Sequence, residues 1–333
     1  MVSHLPTCWA ISDGAAGNEN QAVALARALG LPPRVLRVRL RQPWSAFAPR
    51  LILGAAAAIR DQDGAPLSPP WPDIAIGCGR RAALVTRLLR DWSGRRCWTV
   101  QILDPRIDPG AFDLVVAPQH DGIDGANVIR SIGALNAVDA DWLGAGRTHF
   151  PALSELPSPR TAVLIGGSNR AQRIDEIYLA ALIERLAARH ADEGGSFLVS
   201  VSRRTPPALA AELRAAFGTS PGRFWSGTQD GENPYAGYLG WADRIVVTPD
   251  SVNMLSEACA TGKPVYTFAP RMIEGKLAAF HAELSGSGHL RRLDDPLQGP
   301  PQPPPLAETA AIAELVRERW KAAGASRLAS SAE

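Results

Sequence analysis

Short apolar runs alternate with amphipathic stretches of helical length along the chain. Residues 7–12 read as a strand and 20–29 as a helix. Residues 34–40 alternate charged and aliphatic side chains, the period of a half-exposed strand. The run 73–77 leads into a helix over 80–92, and 98–103 and 114–117 are further β-rich runs closed by Pro or Asp. After a loop at 150–159 that carries three prolines, the rhythm restarts. Strands at 161–165, 196–202, 244–248 and 264–268 are separated by helices at 175–190, 205–217 and 252–261, with a further helix at 273–284. A proline-dense linker at 296–305 precedes an alanine-rich helix at 307–323. This alternation predicts an α/β protein with parallel sheets covered by helices on both faces. Two Rossmann-like domains are expected, at 1–155 and 156–305. A helix at 306–325 follows, and 326–333 form a frayed tail.

Length and composition agree with that division. At 333 residues the chain exceeds one ordinary domain, and 46% hydrophobic with 20% charged residues suits globular cores. The 35 basic and 33 acidic residues nearly cancel, and no nucleic-acid-binding motif is visible, so no nucleic-acid partner is expected. Cys8, Cys78, Cys97 and Cys259 are scattered without a CxxC or Cys/His cluster, which predicts reduced, buried thiols and no zinc site. Residues 1–14 lack the basic-then-apolar pattern of a signal peptide. No segment reaches the roughly 18–20 apolar residues of a spanning helix. A cytoplasmic protein is expected, at most peripheral on the inner face of the cytoplasmic membrane. Residues 44–59 form an apolar stretch behind Arg34, Arg37, Arg39 and Arg41, which reads either as a buried helix or as a patch that rests on anionic lipid.

Open parallel sheets bind ligands at the carboxyl ends of their strands, so the loops there carry the candidate chemistry. Three loops of the second half fit one anionic ligand. Gly166, Gly167, Ser168 and Asn169 combine a close-approach backbone with hydroxyl and amide donors. Ser202, Arg203 and Arg204 place two guanidiniums where an anion sits. Asp250, Ser251, Val252, Asn253 and Met254 open a helix whose N–H groups and dipole favour a diphosphate. Glu257, one turn further on, can accept both hydroxyls of a ribose. Each has a plainer reading: a tight turn for the glycines, surface charge for the arginines, an N-cap for Asp250 or Ser251, a solvated helix residue for Glu257.

The segment 241–268, WADRIVVTPDSVNMLSEACATGKPVYTF, resembles the C-terminal domain of GT-B glycosyltransferases, including the enzyme that adds N-acetylglucosamine to lipid I. More widely, the chain resembles the plant mitochondrial-fission-factor family and its bacterial homologues, a GT-B-like group. The motifs that carry this are SDGAAGNENQAVALARALG, IGGSNRA, SRRTP, ENPY, TPDSVNMLSEACATGKPVY and EGKLAAFHAEL, spread over residues 12–284. The resemblance implies a GT-B fold, two Rossmann-like domains facing across a cleft, with a nucleotide-sugar donor in the second, an acceptor in the first, and the helix at 306–325 packing back on the first. It implies a metal-independent glycosyltransferase acting on a bacterial cell-envelope glycoconjugate or lipid-linked acceptor and requiring no cofactor. It leaves open a nucleotide-sugar 2-epimerase, or a non-catalytic adaptor in membrane remodelling. The loop Asp13, Gly14, Ala15, Ala16, Gly17, Asn18, Glu19 and Asn20 then faces the donor. The lipid I enzyme has a His where this chain has Asn18, which cannot take up a proton, so the base falls to Glu19, favoured slightly, or Asp13. His120, after the strand at 114–117, and Lys276, on the helix at 273–284 with His281, are secondary candidates. The absence of an Asp-x-Asp motif in a donor loop argues against an obligatory divalent metal.

Overall fold

The computed structural model describes residues 5–295 and 302–330, which divide into two compact units. The first takes in the chain up to Ala137 together with the segment from Glu308; the second is Val138–Ala307. The first unit thus ends at Ala137 and not at residue 155, and the segment 138–155 belongs to the second.

The first unit runs through β1 (Cys8–Ser12), α1 (Ala16–Ala28), β2 (Pro33–Arg37) and β3 (Arg39–Leu40). Two single-turn helices, α2 (Trp44–Phe47) and α3 (Ala55–Ala58), lead to β4 (Ile59–Arg60). Then come β5 (Ile74–Cys78), α4 (Arg80–Trp92), β6 (Trp98–Ile102), β7 (Leu114–Pro118) and β8 (Val128–Ser131). Six strands form one sheet in the order β2-β1-β5-β6-β7-β8, every pair parallel. β1, β5, β6 and β7 are buried along their whole length, as central strands covered on both faces must be.

Two expectations change here. The alternating run 34–40 is not one strand: β2 ends at Arg37, and β3 pairs antiparallel with β4 in a separate ribbon. The stretch 44–59 is not one helix. Pro49 removes a helical N–H in its middle, and Gly54 takes φ +70°, so the chain breaks into α2 and α3.

The second unit begins with α5 (Ala140–His149) and β9 (Arg160–Ile165), followed by α6 (Glu176–Glu193), β10 (Ser196–Val201), α7 (Pro207–Phe217) and β11 (Gly222–Trp225). α8 (Tyr235–Trp241), β12 (Arg244–Val247), α9 (Val252–Ala260), β13 (Val265–Thr267), α10 (Gly275–Gly286) and β14 (Arg291–Arg292) complete it. Its sheet is again all-parallel, in the order β11-β10-β9-β12-β13-β14. In this doubly wound order the winding reverses between β9 and β12, the crevice where such sheets bind ligands. Of the linker at 296–305, residues 296–301 lie outside the described residues.

The helix α11 (Glu308–Ser330) returns to the first unit. The Glu308 carboxylate accepts from the backbone N–H of Ile132 and Gly133, and Thr309 Oγ1 both accepts from Asn136 N and donates to Asn136 O. Ile312, Ala313 and Val316 are buried in the same core as Ile74, Ile76 and Val100, and Trp320 stacks on Trp98 at 6.2 Å. The helix continues through Ser330, past the tail expected from 326; residues 331–333 lie outside the described residues.

One carboxylate ties the strand ends of the second unit. Asp250, 4% exposed, accepts from Gly167 N (3.1 Å), Thr248 Oγ1 (2.6 Å) and Arg204 Nη2 (2.9 Å). Thr248 Oγ1 in turn accepts from Gly166 N, and the Asn169 amide donates to the Asp250 carbonyl. The loops after β9, β10 and β12 thus share one buried acceptor. Asp250→Ala strands these donors, and the expected loss is about 1–3 kcal/mol of unfolding free energy. Urea denaturation followed by circular dichroism checks it; a loss below about 0.5 kcal/mol shows that the loops hold themselves without this residue.

Candidate functional site

The two glycines after β9 serve protein contacts first. A β-carbon on Gly166 would collide with the Asp250 carboxylate, and one on Gly167 would lie 2.7 Å from Arg204 Cβ. The rest of the loop is held by its own polar groups. Ser168 Oγ accepts from Ile174 N, while Asn169 Oδ1 accepts from Ala171 N and Gln172 N.

The adjacent arginines, equivalent in the sequence, part company in the fold. Arg204 donates to the Gly167 carbonyl and to Asp250 and is committed to the scaffold, although its side chain is still 49% exposed. Arg203 is exposed and lines an open pocket of about 560 Å³ with Ser202, Arg214, Ser226 and Gln229. Arg214 is neutralised there by a salt bridge to Asp230 at 2.6 Å, so Arg203 brings the less committed positive charge.

Ser251 is the N-cap of α9, its side chain accepting from Met254 N. Residues Val252, Asn253 and Met254 form the first turn and are half-buried. Their amides stand at the positive end of the helix dipole. His281, buried in α10, donates from Nε2 to the Pro249 carbonyl and braces the turn from below; burial lowers its pKa and keeps it neutral. Lys276 lies exposed in the first turn of α10.

Glu257 is half-buried on α9, and its Oε2 accepts a 2.6 Å hydrogen bond from the Tyr235 hydroxyl. Burial pushes the carboxyl pKa up to about 7, only partly opposed by that hydrogen bond, and the Tyr235 phenol is raised well above its usual value. Tyr235 was missed in the sequence as a site residue. Its signal is the ENPY stretch, where Pro234 precedes the first residue of α8 and fixes the ring's approach.

In the first unit the loop after β1 gathers around Asp13. Its Oδ1 accepts from Asn18 Nδ2 (3.1 Å) and Ala15 N (3.3 Å), and Gly14 takes φ +84°. Asn18 packs against Gly79 (φ +86°), whose β-carbon would lie 2.5 Å from Asn18 Nδ2. The Cys78 thiol, buried beside this loop, is raised above its usual range by desolvation and by the Asp13 charge. Gly17 and Asn20 sit in the first turns of α1, Asn20 exposed. Glu19 has a different setting. Arg37 donates to both of its oxygens, at 2.6 and 2.7 Å, a bidentate pair, and the Ser12 hydroxyl donates to Oε2 at 3.4 Å. His120 lies half-buried in a 3₁₀ turn after β7. Cys8, Cys78, Cys97 and Cys259 are all buried free thiols. Among the described residues, no group of three His, Cys, Asp or Glu side chains comes together as a metal site, and no helix is long and apolar enough to cross a membrane.

Known structures share this fold. UDP-GlcNAc 2-epimerase from Methanocaldococcus jannaschii superposes with a TM-score of 0.55 at 13% identity, covering 94% of this chain and all of that one. The glycotransferase of kitacinnamycin follows at 0.51 and 15%, covering 96% and 94%. At such identity the likeness establishes the GT-B fold alone. Sequence relatives reach further. The mitochondrial fission protein ELM1 of Arabidopsis thaliana is 26% identical over 399 residues, covering 94% of this chain and 91% of that protein. A Rickettsia prowazekii (strain Madrid E) protein, the uncharacterized protein RP120, is 28% identical over 305 residues, covering 79% and 83%. The family model for mitochondrial fission ELM1 matches residues 16–320, and the chain belongs to that family.

Proposed function

We propose that the protein is a metal-independent glycosyltransferase that moves a sugar from a nucleotide sugar to a cell-envelope glycoconjugate or lipid-linked acceptor. The observation that carries this is the pairing of the α9 N-terminus with Glu257 one turn later at the switch point of the second sheet. The first turn of α9 offers amides and a positive dipole end to a diphosphate, and Glu257 offers a carboxylate to the ribose hydroxyls. Structures of like fold include glycosyltransferases and UDP-GlcNAc 2-epimerases, which supports a nucleotide-sugar ligand.

In the proposed reaction an acceptor hydroxyl loses its proton to a base as its oxygen bonds to the anomeric carbon. The bond from that carbon to the diphosphate oxygen breaks, and the nucleoside diphosphate leaves with the electron pair. The α9 dipole and Arg203 stabilise the leaving group, and Arg204 supports them by fixing the loop. Asp13 is the preferred base: its carboxylate is held by neutral donors, whereas Glu19 is tied to Arg37. Two observations favour rival readings: the 2-epimerase fold likeness, and a relative named for mitochondrial fission, which suits a non-catalytic adaptor. Product analysis without added acceptor separates epimerase from transferase. A thermal-shift screen against UDP-, GDP-, ADP-, dTDP- and CMP-linked sugars tests the whole reading, since a ligand at about 100 times its dissociation constant stabilises by roughly 2.7 kcal/mol. No response to any of them favours the adaptor.

A peripheral membrane contact belongs to the same proposal. Phe47, Ile52 and Leu53 are 62%, 41% and 84% exposed, and Arg41 and Arg50 are exposed beside them. Apolar side chains rimmed by arginines match an anionic bilayer surface.

Glu257 yields a test by pH. Its folded-state value, about 7, lies above the ordinary 4.5, so the folded protein binds the extra proton between these limits. Stability from this group is therefore lost as pH rises from about 4.5 to about 7. Glu257→Gln is expected to raise the melting temperature at pH 8 but not at pH 4, while abolishing the nucleotide response; a variant that binds nucleotide normally removes Glu257 from the site. In wild type, nucleotide affinity should climb from pH 6 to 8 as the carboxylate forms. Asp13→Asn is expected to lower turnover by about 10²–10⁴-fold with nucleotide binding intact, against a smaller effect of Glu19→Gln. The reverse order reinstates Glu19. For the membrane contact, co-sedimentation with anionic vesicles should be lost in Phe47→Asp/Leu53→Asp, and sedimentation no greater than with neutral vesicles removes it.

A further inference from the structure

Among the described residues Glu257 carries one hydrogen bond, from the Tyr235 hydroxyl to Oε2 at 2.6 Å, and its Oε1 takes none. The partner is rigidly mounted. Tyr235 opens α8, where its amide donates to the Asn233 side chain and the buried Pro234 restricts the backbone before it. α8 then packs through Gly237 and Gly240, whose β-carbons would lie 2.7 Å from the Phe150 ring and 2.9 Å from the Leu143 carbonyl. At the far end of the helix, Lys263 Nζ donates to the Leu239 and Gly240 carbonyls at 2.6 and 2.7 Å. A turn at one end, a close glycine face and an ammonium at the other fix where the phenol stands.

That placement bears on the charge of Glu257. An ionised carboxylate is acceptor-only and can take two ribose hydroxyls, whereas the neutral form keeps a proton on one oxygen. Burial works against ionisation here, and the Tyr235 hydrogen bond works for it. The other titratable groups around α9 have tasks of their own: His281 of α10 is held on the Pro249 carbonyl, and Asp250 is filled by its three donors. Burial and Tyr235 therefore set the charge of Glu257. Tyr235 itself always donates, because its phenol is raised well above the usual value and stays protonated.

We propose that Tyr235 is a positioning residue for the nucleotide: its hydroxyl fixes Glu257 through Oε2 and holds it as the ionised acceptor of a ribose diol. Oε1 and the second lone pair of Oε2 are left to the ligand. The proposal rests on the reading of Glu257 as the ribose ligand. It adds a residue from a different element on which the choice of a ribonucleotide over a deoxyribonucleotide depends. Without the hydroxyl, the carboxyl keeps its proton to higher pH, so binding fails first on the acid side.

Isothermal titration of the full chain with UDP, GDP and ADP, each beside its 2′-deoxy form, tests the proposal between pH 6 and pH 9. For the nucleotide that binds, Tyr235→Phe should weaken affinity about tenfold at pH 6, the loss of one hydrogen bond to a charged group. At pH 9 the variant should come within about threefold of wild type, because there both carboxyls are ionised and the binding midpoint has moved up by about one pH unit. The ligand-free protein gives a second readout: the gap in melting temperature between wild type and Tyr235→Phe should widen from pH 5 to pH 8.5, since the higher folded-state pKa costs stability only as the carboxylate forms. An affinity loss equal at every pH marks a merely structural role and overturns the proposal, as does an unchanged Kd or a melting gap that does not widen. A wild type that binds none of the nucleotides, or binds the 2′-deoxy form equally well, overturns the reading of Glu257 first and this proposal with it.

Discussion

The second unit is organised by a buried carboxylate that has been taken out of water and matched donor by donor. Asp250 accepts from a backbone amide, a threonine hydroxyl and a guanidinium that come from three loops far apart in sequence. Desolvating such a group is costly unless its lone pairs are filled, and here they are. Several features follow from that requirement. Gly166 and Gly167 must lack a β-carbon because Asp250 and Arg204 occupy the space. Thr248 must carry a hydroxyl, and Arg204 must turn inward. The strand ends are thereby fixed in place before any ligand arrives, and α9 starts where the carboxylate sets it.

Glu257 shows the opposite economy. Among the described residues its carboxyl has one hydrogen-bond partner, the Tyr235 phenol, and burial raises its pKa to about 7. Functional sites commonly keep such groups because a ligand's hydroxyls provide what the fold withholds. Asp250 and Glu257 are thus both acidic residues near one helix N-terminus, and their surroundings give them contrasting tasks.

Much of this was legible in the sequence, for identifiable reasons. β1, β5, β7 and β9 are central strands announced by their apolar runs, while the equally buried β6 and β10 carry Thr99, Gln101 and Ser200 among their apolar residues. The edge strands β8 and β11 carry mixed side chains and gave no such signal. The loops at the strand ends were found through glycine and helix-start chemistry, which is local. Partner choice is not local. Arg203 and Arg204 differ only because Asp250 lies beside one of them, and Glu19 is taken by Arg37, eighteen positions away on a neighbouring strand. The run 44–59 failed as a helix because an average over apolar residues hides what Pro49 and Gly54 do to the backbone.

The return of α11 has a consequence for how the chain is made. Val138–Ala307 is, topologically, an insertion within the first unit, and the core that holds Ile74, Ile76 and Val100 also needs Ile312, Ala313 and Val316. During synthesis from the N-terminus, that core stays open on one side while the whole of the second unit emerges and can fold. The first unit to be translated is therefore the last to be sealed, and Glu308, meeting the amides of Ile132 and Gly133, is the residue at which the closing segment docks.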